Sequence, residues 1–204
     1  MYNFYIGLDL GQAQDYTALT VIERKHFNYN VRSLPREQYH VRHLERLKLG
    51  TPYPAIVEQV QELMQSNQLL NQTALVVDAT GVGRPVVDLF RKAGLRPVAI
   101  TITGGNVVTT GGGGYHVPKR DLVTTLQVLF QSGKLKIAGG LKLAPVLMEE
   151  LLNFKVKINV RTAHDSYEAW REGIHDDLVL AVALACWYAE KRRIARPVEK
   201  PAGW

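Results

Sequence analysis

The segment at 73–78, TALVVD, is an unbroken apolar run that ends in an acid. A run this short and this apolar predicts a strand buried on both faces, because strands exposed on one face alternate apolar and polar residues. Apolar residues recur at helical spacing at 54–69, before this run, and a second helical segment at 84–94 follows it. Strands that alternate with helices predict a sheet covered by helices, which is the α/β class.

The N-terminal part predicts antiparallel strands beside that buried strand. A short apolar run at 3–10 and an alternating β-branched run at 17–24 are typical of a hairpin, and 37–47 is a plausible third strand. The stretch from Arg24 to Lys48 carries seven basic and two acidic side chains. We interpret these charges as those of a solvated edge strand, where charged side chains oppose pairing with another strand. We prefer this to a surface dedicated to binding a polyanion.

The rest of the chain continues the alternation. We expect a strand at 97–103, a mobile glycine-rich surface loop at 104–118, a helix at 119–133, a strand at 134–138, a helix at 143–154, a hairpin strand at 155–160 and a buried helix at 175–193. The predicted fold is a central mixed sheet with antiparallel first strands, flanked by helices. We expect one domain over 1–193 and a flexible tail at 194–204.

Composition excludes several classes of protein. The chain of 204 residues is long enough for one domain with a sizeable core. Its one cysteine, Cys186, lies among apolar neighbours, which indicates a buried thiol and excludes a disulfide framework or a cysteine zinc site. No segment has the roughly 18 consecutive apolar residues of a membrane span, and the N-terminus does not resemble a signal peptide, so we expect a reducing intracellular compartment. The net charge of +6 favours a polyanionic partner such as nucleic acid.

Acidic residues stand at the ends of core elements. Asp9 ends the first predicted strand, Asp78 ends the buried strand, and Asp176 and Asp177 open the last helix. Each alone could be a turn residue or a helix cap. Together in a basic protein they favour a site for Mg²⁺ or Mn²⁺, since clustered carboxylates repel one another without a cation and hard divalent ions prefer oxygen ligands. Two such ions about 3.5–4 Å apart can polarise a phosphodiester and activate water.

Three sequence blocks resemble a known family. GLDLGQAQDYTALTVIER, VVDATGVGRPVVDLFRKAG and HDDLVLAVALA are similar, in this order, to the nuclease domain of phage terminase large subunits, which has a ribonuclease H-like fold. The resemblance covers almost the whole chain. It implies an endonuclease that cuts concatemeric duplex DNA with little sequence preference, by hydrolysis with two Mg²⁺ or Mn²⁺ ions. Carried over, Asp9, Asp78 and one or both of Asp176 and Asp177 would be catalytic metal ligands.

The resemblance also implies a setting. Its partners would be double-stranded DNA, an ATPase motor domain, a portal and a small terminase subunit, in the cytoplasm of a phage-infected or prophage-carrying bacterium and away from membranes. Relatives often carry another acid three residues after the tandem pair, where this chain has Leu180. The chain also lacks the G-x-x-x-x-G-K-[ST] motif of ATPase motors, so we expect an excised domain or a free-standing relative that does not translocate DNA by itself.

Further residues are candidates for supporting roles. Asp176 lies just ahead of the apolar run and is the favoured helix cap, and Asp177, one residue into the helix, is then the favoured ligand of the pair. His175 could orient a ligand or an attacking water, or could cap the helix. Candidate DNA-phosphate contacts are Lys119, Arg120, Lys155, Lys157 and Arg161.

Other functions remain open at the level of sequence. A Holliday-junction resolvase would share the fold but prefer junction substrates. An actin-like or sugar-kinase-like ATPase shares a similar first strand but usually needs two such domains and lacks a helix that opens with His-Asp-Asp. A noncatalytic DNA-binding module would keep the acids as scaffold. Metal-dependent cutting of plasmid DNA separates the nucleases from the other two.

Overall fold

A mixed sheet organises the chain in the computed structural model, which describes residues 2–11, 15–27, 37–81, 83–160 and 176–194. Within these residues there are eight strands and five helices. The strands are β1 (Phe4–Asp9), β2 (Ala18–His26), β3 (Glu37–Arg46), β4 (Thr73–Asp78), β5 (Val98–Thr103), β6 (Thr109–Gly111), β7 (Gly114–Pro118) and β8 (Leu135–Ile137). The helices are α1 (Tyr53–Gln65), α2 (Gly83–Lys92), α3 (Lys119–Gln131), α4 (Ala144–Val160) and α5 (Asp177–Ile194).

The strand order is β6-β7-β5-β4-β1-β2-β3-β8. Strand β2 is antiparallel to β1 and β3, whereas β4, β5 and β7 extend the sheet in parallel from β1. This arrangement confirms the predicted α/β fold class, the mixed sheet and the antiparallel first strands. Among the described helices, none is both long enough and apolar enough to cross a lipid bilayer.

The sheet separates two apolar clusters. Helices α1 and α2 contribute to one cluster, and α3, α4 and α5 contribute to the other. Leu8 of β1 and Val77 of β4 are register partners that both belong to the α1–α2 cluster. Since side chains alternate along a strand, the next residues, Asp9 and Asp78, project toward the face that α5 covers.

A glycine allows α5 to lie directly on β1. A Cβ atom added at Gly7 would stand 1.9 Å from the carbonyl oxygen of Ala181, so a larger residue at this position would collide with the helix backbone. Close packing at Gly7 brings the start of α5 to the carboxyl end of β1, where Asp9 lies.

The charged third strand is not the edge of the sheet, contrary to the sequence-based expectation. Strand β8 pairs with it in parallel from Tyr39 to Val41. Ion pairs, rather than solvent, compensate much of its charge: Arg24 contacts Glu37, and the Arg42 Nε lies 2.7 Å from a Glu23 carboxylate oxygen. Lateral pairing with β8 could not be inferred from β3 itself, because the partner strand is distant in the chain.

The expected mobile loop at 104–118 contains two strands, so that prediction is wrong. Strands β6 and β7 form an antiparallel hairpin, and β7 also pairs with β5. Gly112 and Gly113 connect the two strands with φ angles of 60° and 81°, and a two-residue hairpin turn of type I′ requires positive φ at both positions. Gly114 lets the strands approach, because a Cβ there would be 2.4 Å from the Ala99 carbonyl oxygen.

The expected hairpin strand at 155–160 is also wrong, since these residues continue α4. The strict alternation of KVKINV suggested a strand, but no glycine or proline interrupts the helix between Pro145 and residue 160. Residues 155 and 157 therefore belong to a helix, and the strand alternation on which their shared phosphate-binding role was predicted does not occur. Arg161 and residues 195–204 of the tail expected at 194–204 lie outside the described residues.

Candidate metal centre

The acidic strand ends lie at the same edge of the sheet. Asp9 is in register with Ala18 of β2, and Ala18 is in register with Arg46 of β3. On the other side of β1, Asp78 ends the parallel strand β4. Because the carboxyl ends of parallel strands meet at one edge, which is where α/β sheets bind their ligands, the two acids predicted from sequence share one location.

Asp9 experiences the charges of the other candidate acids. Burial, together with the neighbouring carboxylates of Asp78, Asp176 and Asp177, raises the pKa of Asp9 well above its ordinary value, while Lys119 acts to lower it. The structure therefore brings all four predicted acids into electrostatic contact, and a close cluster of like charges favours an added cation.

Asp78 is fixed by the turn that follows β4. Its Oδ1 atom accepts a hydrogen bond from the backbone NH of Thr80 at 2.7 Å, and the Thr80 hydroxyl oxygen in turn accepts one from the NH of Ile102 at 2.7 Å. The carboxyl is buried, with 7% of the residue exposed. This local turn holds the side chain at the strand end and limits the positions it can adopt.

Asp176 occupies the cap position at the start of α5. Its carbonyl oxygen accepts the first helical hydrogen bond, from the Leu180 NH at 2.9 Å, as the sequence predicted. Its carboxylate contacts a different element: Oδ2 lies 3.4 Å from the Nζ atom of Lys119, which opens α3. The half-buried side chain thus faces the acid cluster with a lysine beside it.

Asp177 is held by an arginine. The Nε atom of Arg46 donates to Asp177 Oδ2 at 2.7 Å and the Nη2 atom donates to Oδ1 at 2.9 Å, so both carboxylate oxygens accept from one guanidinium. Asp177 is buried, with 6% exposed. This geometry favours Asp176 over Asp177 as the acid available to a metal. The sequence-based preference for Asp177 stays a prediction, which mutation of each acid can decide.

Glu150 of α4 completes this group, and sequence reasoning missed both it and Arg46. Glu150 contacts Arg46 Nη2, and its Oε2 accepts a hydrogen bond from the Val179 NH at 3.0 Å. Burial and the nearby carboxylates of Asp177 and Asp176 raise the pKa of Glu150 to about 8, against the lowering effects of the Val179 NH and Arg46. A signal was present in the sequence, because Glu150 interrupts the apolar stripe of its helix three residues after the buried Leu147.

The other predicted residues near these helices have different placements. Lys119 lies in the cluster, beside Asp176. Arg120 is next to it but points away: its side chain is 60% exposed, lies 3.5 Å from Asp121 and donates to the Asn106 carbonyl at 2.7 Å. His175 lies outside the described residues.

The residues fit a hard divalent cation by their chemistry, since Asp9, Asp78 and Asp176 are carboxylates that interact electrostatically and hard cations prefer oxygen ligands. The described residues nevertheless contain no group of three or more His, Cys, Asp or Glu side chains that is already arranged as a metal site. Lys119 holds Asp176 in an ion pair, and Arg46 holds the neighbouring Asp177. Metal binding therefore requires side-chain rearrangement at this edge, with Asp176 leaving Lys119.

The comparison with protein families decides the relationship. The model of the terminase RNaseH-like domain matches residues 6–188 of the chain. The chain belongs to this family. The match runs from Ile6 within β1 to Tyr188 within α5, so the acidic edge of this terminase RNaseH-like domain lies within the matched residues.

Solved structures share the fold of this terminase RNaseH-like domain. The large terminase nuclease from thermophilic phage G20c superposes with a TM-score of 0.57 at 18% identity, covering 89% of this chain and 80% of that chain. The human cytomegalovirus terminase nuclease domain, soaked with Mn, gives a TM-score of 0.54 at 17% identity, covering 94% of this chain and 85% of that chain. A comparison with curated protein sequences gives no match.

Proposed function

We propose that this chain is a metal-dependent endodeoxyribonuclease of viral genome packaging, which hydrolyses concatemeric duplex DNA with little sequence specificity. The observation that carries the proposal is the convergence of Asp9, Asp78 and Asp176 at one sheet edge in a chain of the terminase RNaseH-like family. Family membership supports the setting: an ATPase motor, a portal and a small terminase subunit as partners, in the cytoplasm of a bacterial host.

The carboxylates would hold two Mg²⁺ or Mn²⁺ ions, and bound ions of this kind polarise a phosphodiester and activate water for in-line attack. A related domain from human cytomegalovirus was soaked with Mn, which supports this choice of cation. Asp9 and Asp78 project from neighbouring strands, and the turn at Thr80 keeps Asp78 in place. Asp176 contributes from the helix start.

Lys119 has a place in this chemistry. Its ammonium group neutralises part of the acid cluster through Asp176 and would face the negatively charged phosphate of bound DNA once Asp176 turns to a metal. Arg120, exposed beside it, is proposed as a contact to a flanking phosphate. Phosphate contacts by Lys155, Lys157 and Arg161 stay predictions.

Cleavage of supercoiled plasmid tests the proposal. We expect nicked and linear products with Mg²⁺ or Mn²⁺, no products in excess EDTA, and loss of cleavage in Asp78→Asn. The matched control is Asp88→Asn, which changes an exposed aspartate on α2 that is paired with Arg91. Equal cleavage with and without EDTA would overturn the metal-dependent assignment.

A comparison of substrates separates the remaining nuclease alternative. A packaging nuclease cuts linear duplexes and plasmids as readily as branched DNA. Strong preference for a four-way junction over a linear duplex of the same sequence would instead favour a junction resolvase.

A further inference from the structure

The first turn of α5 is capped by a residue from another helix. Asp176 is the cap residue by its backbone, and the carboxylate of a cap residue usually accepts from the NH two or three positions into the helix. Here the NH of Val179, the third residue of α5, donates to Glu150 Oε2 at 3.0 Å. The capping function is thereby performed by α4, and the Asp176 carboxylate points to Lys119 instead.

The other end of Glu150 connects to Asp177 through Arg46. Glu150 contacts the Nη2 atom of Arg46, which also donates to Asp177 Oδ1. Asp177 and Glu150 are 6% and 5% exposed, respectively. This buried network thus binds both carboxylate oxygens of Asp177. The carboxylate of Asp176 is outside the network and faces the acid cluster.

We propose that Glu150 and Arg46 are positioning residues that select which aspartate of the tandem pair serves the metal centre. Glu150 satisfies the Val179 NH and so releases Asp176 to the cluster, while Arg46 retains Asp177. This inference rests on the proposed function, because it concerns the ligand set of the same site.

A purely structural network would have a different consequence. If Glu150 and Arg46 only tie α4 and β3 to α5, their loss lowers stability but leaves the metal affinity of the folded protein unchanged. If Glu150 selects the ligand, its loss leaves the Val179 NH unsatisfied, and the Asp176 carboxylate turns back to cap it. Metal affinity then falls because Asp176 is withdrawn.

Calorimetric titration of Mn²⁺ into the full chain without DNA distinguishes these cases. We expect Glu150→Ala to weaken Mn²⁺ binding at least about tenfold, the size of effect typical for residues that orient metal ligands. Glu150→Gln keeps an oxygen that can accept from the Val179 NH and should bind within about threefold of the wild type. Glu149→Ala, an exposed neighbour on α4, is the matched control and should leave the affinity unchanged.

Two results would overturn the inference. One is a Glu150→Ala protein that melts at lower temperature but binds Mn²⁺ with wild-type affinity. The other is equal weakening by Glu150→Ala and Glu150→Gln, since the glutamine retains the cap. Absence of Mn²⁺ binding in the wild type would instead remove the proposed function, and the inference with it.

A second pair of variants keeps the test valid if Glu150→Ala does not fold. Both retain Glu150: Asp176→Asn and Asp177→Asn. We expect Asp176→Asn to weaken Mn²⁺ binding at least about tenfold more than Asp177→Asn does. The reverse order would show that Asp177 is the ligand and that Arg46 does not withhold it.

Discussion

Asp176 and Asp177 show how neighbours assign different roles to identical side chains. Both stand at the positive end of α5, which stabilises either carboxylate. Asp177 is buried against a guanidinium that occupies both of its oxygens, whereas Asp176 is half-buried and shares its carboxylate with one lysine. The difference comes from β3 and α3, and not from the dipeptide.

A role of Asp9 in a metal-binding acid cluster and a purely structural role predict opposite effects of its replacement on stability and DNA cleavage. Replacing Asp9 with Asn removes a buried group whose ionised form is disfavoured by burial and by three other carboxylates. We expect the metal-free protein to unfold at an equal or higher temperature at neutral pH, because repulsion is relieved, and to lose DNA cleavage. Thermal melting in EDTA and the plasmid assay check the two parts. A clear fall in melting temperature with cleavage retained would make Asp9 a scaffold residue.

Lys119 gives a second prediction at this scale. Lys119→Met should lower the melting temperature of the metal-free protein, since Asp176 and Asp9 lose a compensating charge. Mn²⁺ should then raise the melting temperature of this variant more than that of the wild type, because the ion replaces the missing charge and a competitor for Asp176 is gone.

Arg120→Met is the matched control for Lys119, since it removes an adjacent positive charge whose side chain is exposed. Its Mn²⁺-induced shift should equal that of the wild type. Equal shifts for Lys119→Met and the wild type would contradict competition between Lys119 and the metal.

The residues of the candidate site differ in how well they can be predicted from the sequence. Asp9 and Asp78 could be predicted because each ends an apolar run, and strand ends are local features. Arg46 could not be predicted as their neighbour, because a register shift between Val21 and Ile22 changes the pairing of β2 with β3. Glu150 was visible as an acid on an apolar helix face, but its partner, a backbone NH on α5, is defined by tertiary packing.

At the scale of elements, the contact between α5 and β1 leaves no room for a side chain at Gly7. Gly7→Ala would place a methyl group against the Ala181 carbonyl oxygen. Because that oxygen belongs to the packed backbone of α5, it cannot rotate away as a side chain could. We expect the free energy of unfolding to fall by at least about 3 kcal/mol, the upper part of the range for overpacked cores. Gly139→Ala is the control, because a Cβ atom added at Gly139 would have no neighbouring atom within 4 Å. Chemical denaturation measures both, and equal stability of the two variants would contradict the close contact.

Helix α5 also hides the cysteine. Burial raises the pKa of the Cys186 thiol above its ordinary value, and the residue is fully enclosed. We expect a thiol reagent to leave the native protein unmodified at pH 8 and to react with one thiol after denaturant is added. Rapid modification of the native protein would show that α5 opens readily from the sheet.

Elements with ordinary periodicity were predictable, and the exceptions have physical causes. Strands β1, β2 and β4 and helices α1, α3 and α5 occur where the apolar patterns indicate them. The β6–β7 hairpin was not predicted because a run of glycines usually indicates a mobile loop. Here the glycines instead form a tight turn and allow close contact between strands. The end of α4 was hidden because an alternating segment also fits a helix when no residue interrupts it.

At the scale of the whole molecule, the basic side chains behind the net charge of +6 differ in how far acidic neighbours neutralise them. Arg24, Arg42 and Arg46 are each engaged in an ion pair, so the basic stretch along β2 and β3 is partly neutralised within the fold. Lys119 at the acidic edge is paired with Asp176, whereas the Arg120 side chain next to it in the sequence is exposed. Arg120 therefore offers exposed positive charge to a polyanion that approaches the start of α3.

The order of the strands joins distant parts of the chain at that edge. Asp9, Asp78 and Asp176 are brought together because β4 pairs with β1 and α5 packs across both. The terminase nuclease domains of phage G20c and human cytomegalovirus share this fold at identities below 20%.

Anomalous diffraction from crystals soaked in Mn²⁺ tests the proposed metal centre most directly. Carboxylate ligation predicts strong anomalous peaks at about 2.0–2.4 Å from oxygens of Asp9, Asp78 and Asp176, with Lys119 moved away from Asp176. The same soak of Asp78→Asn crystals should weaken or remove these peaks. Mn²⁺ peaks elsewhere on the molecule, with the three carboxylates unchanged and Lys119 still paired to Asp176, would contradict a metal centre at this edge.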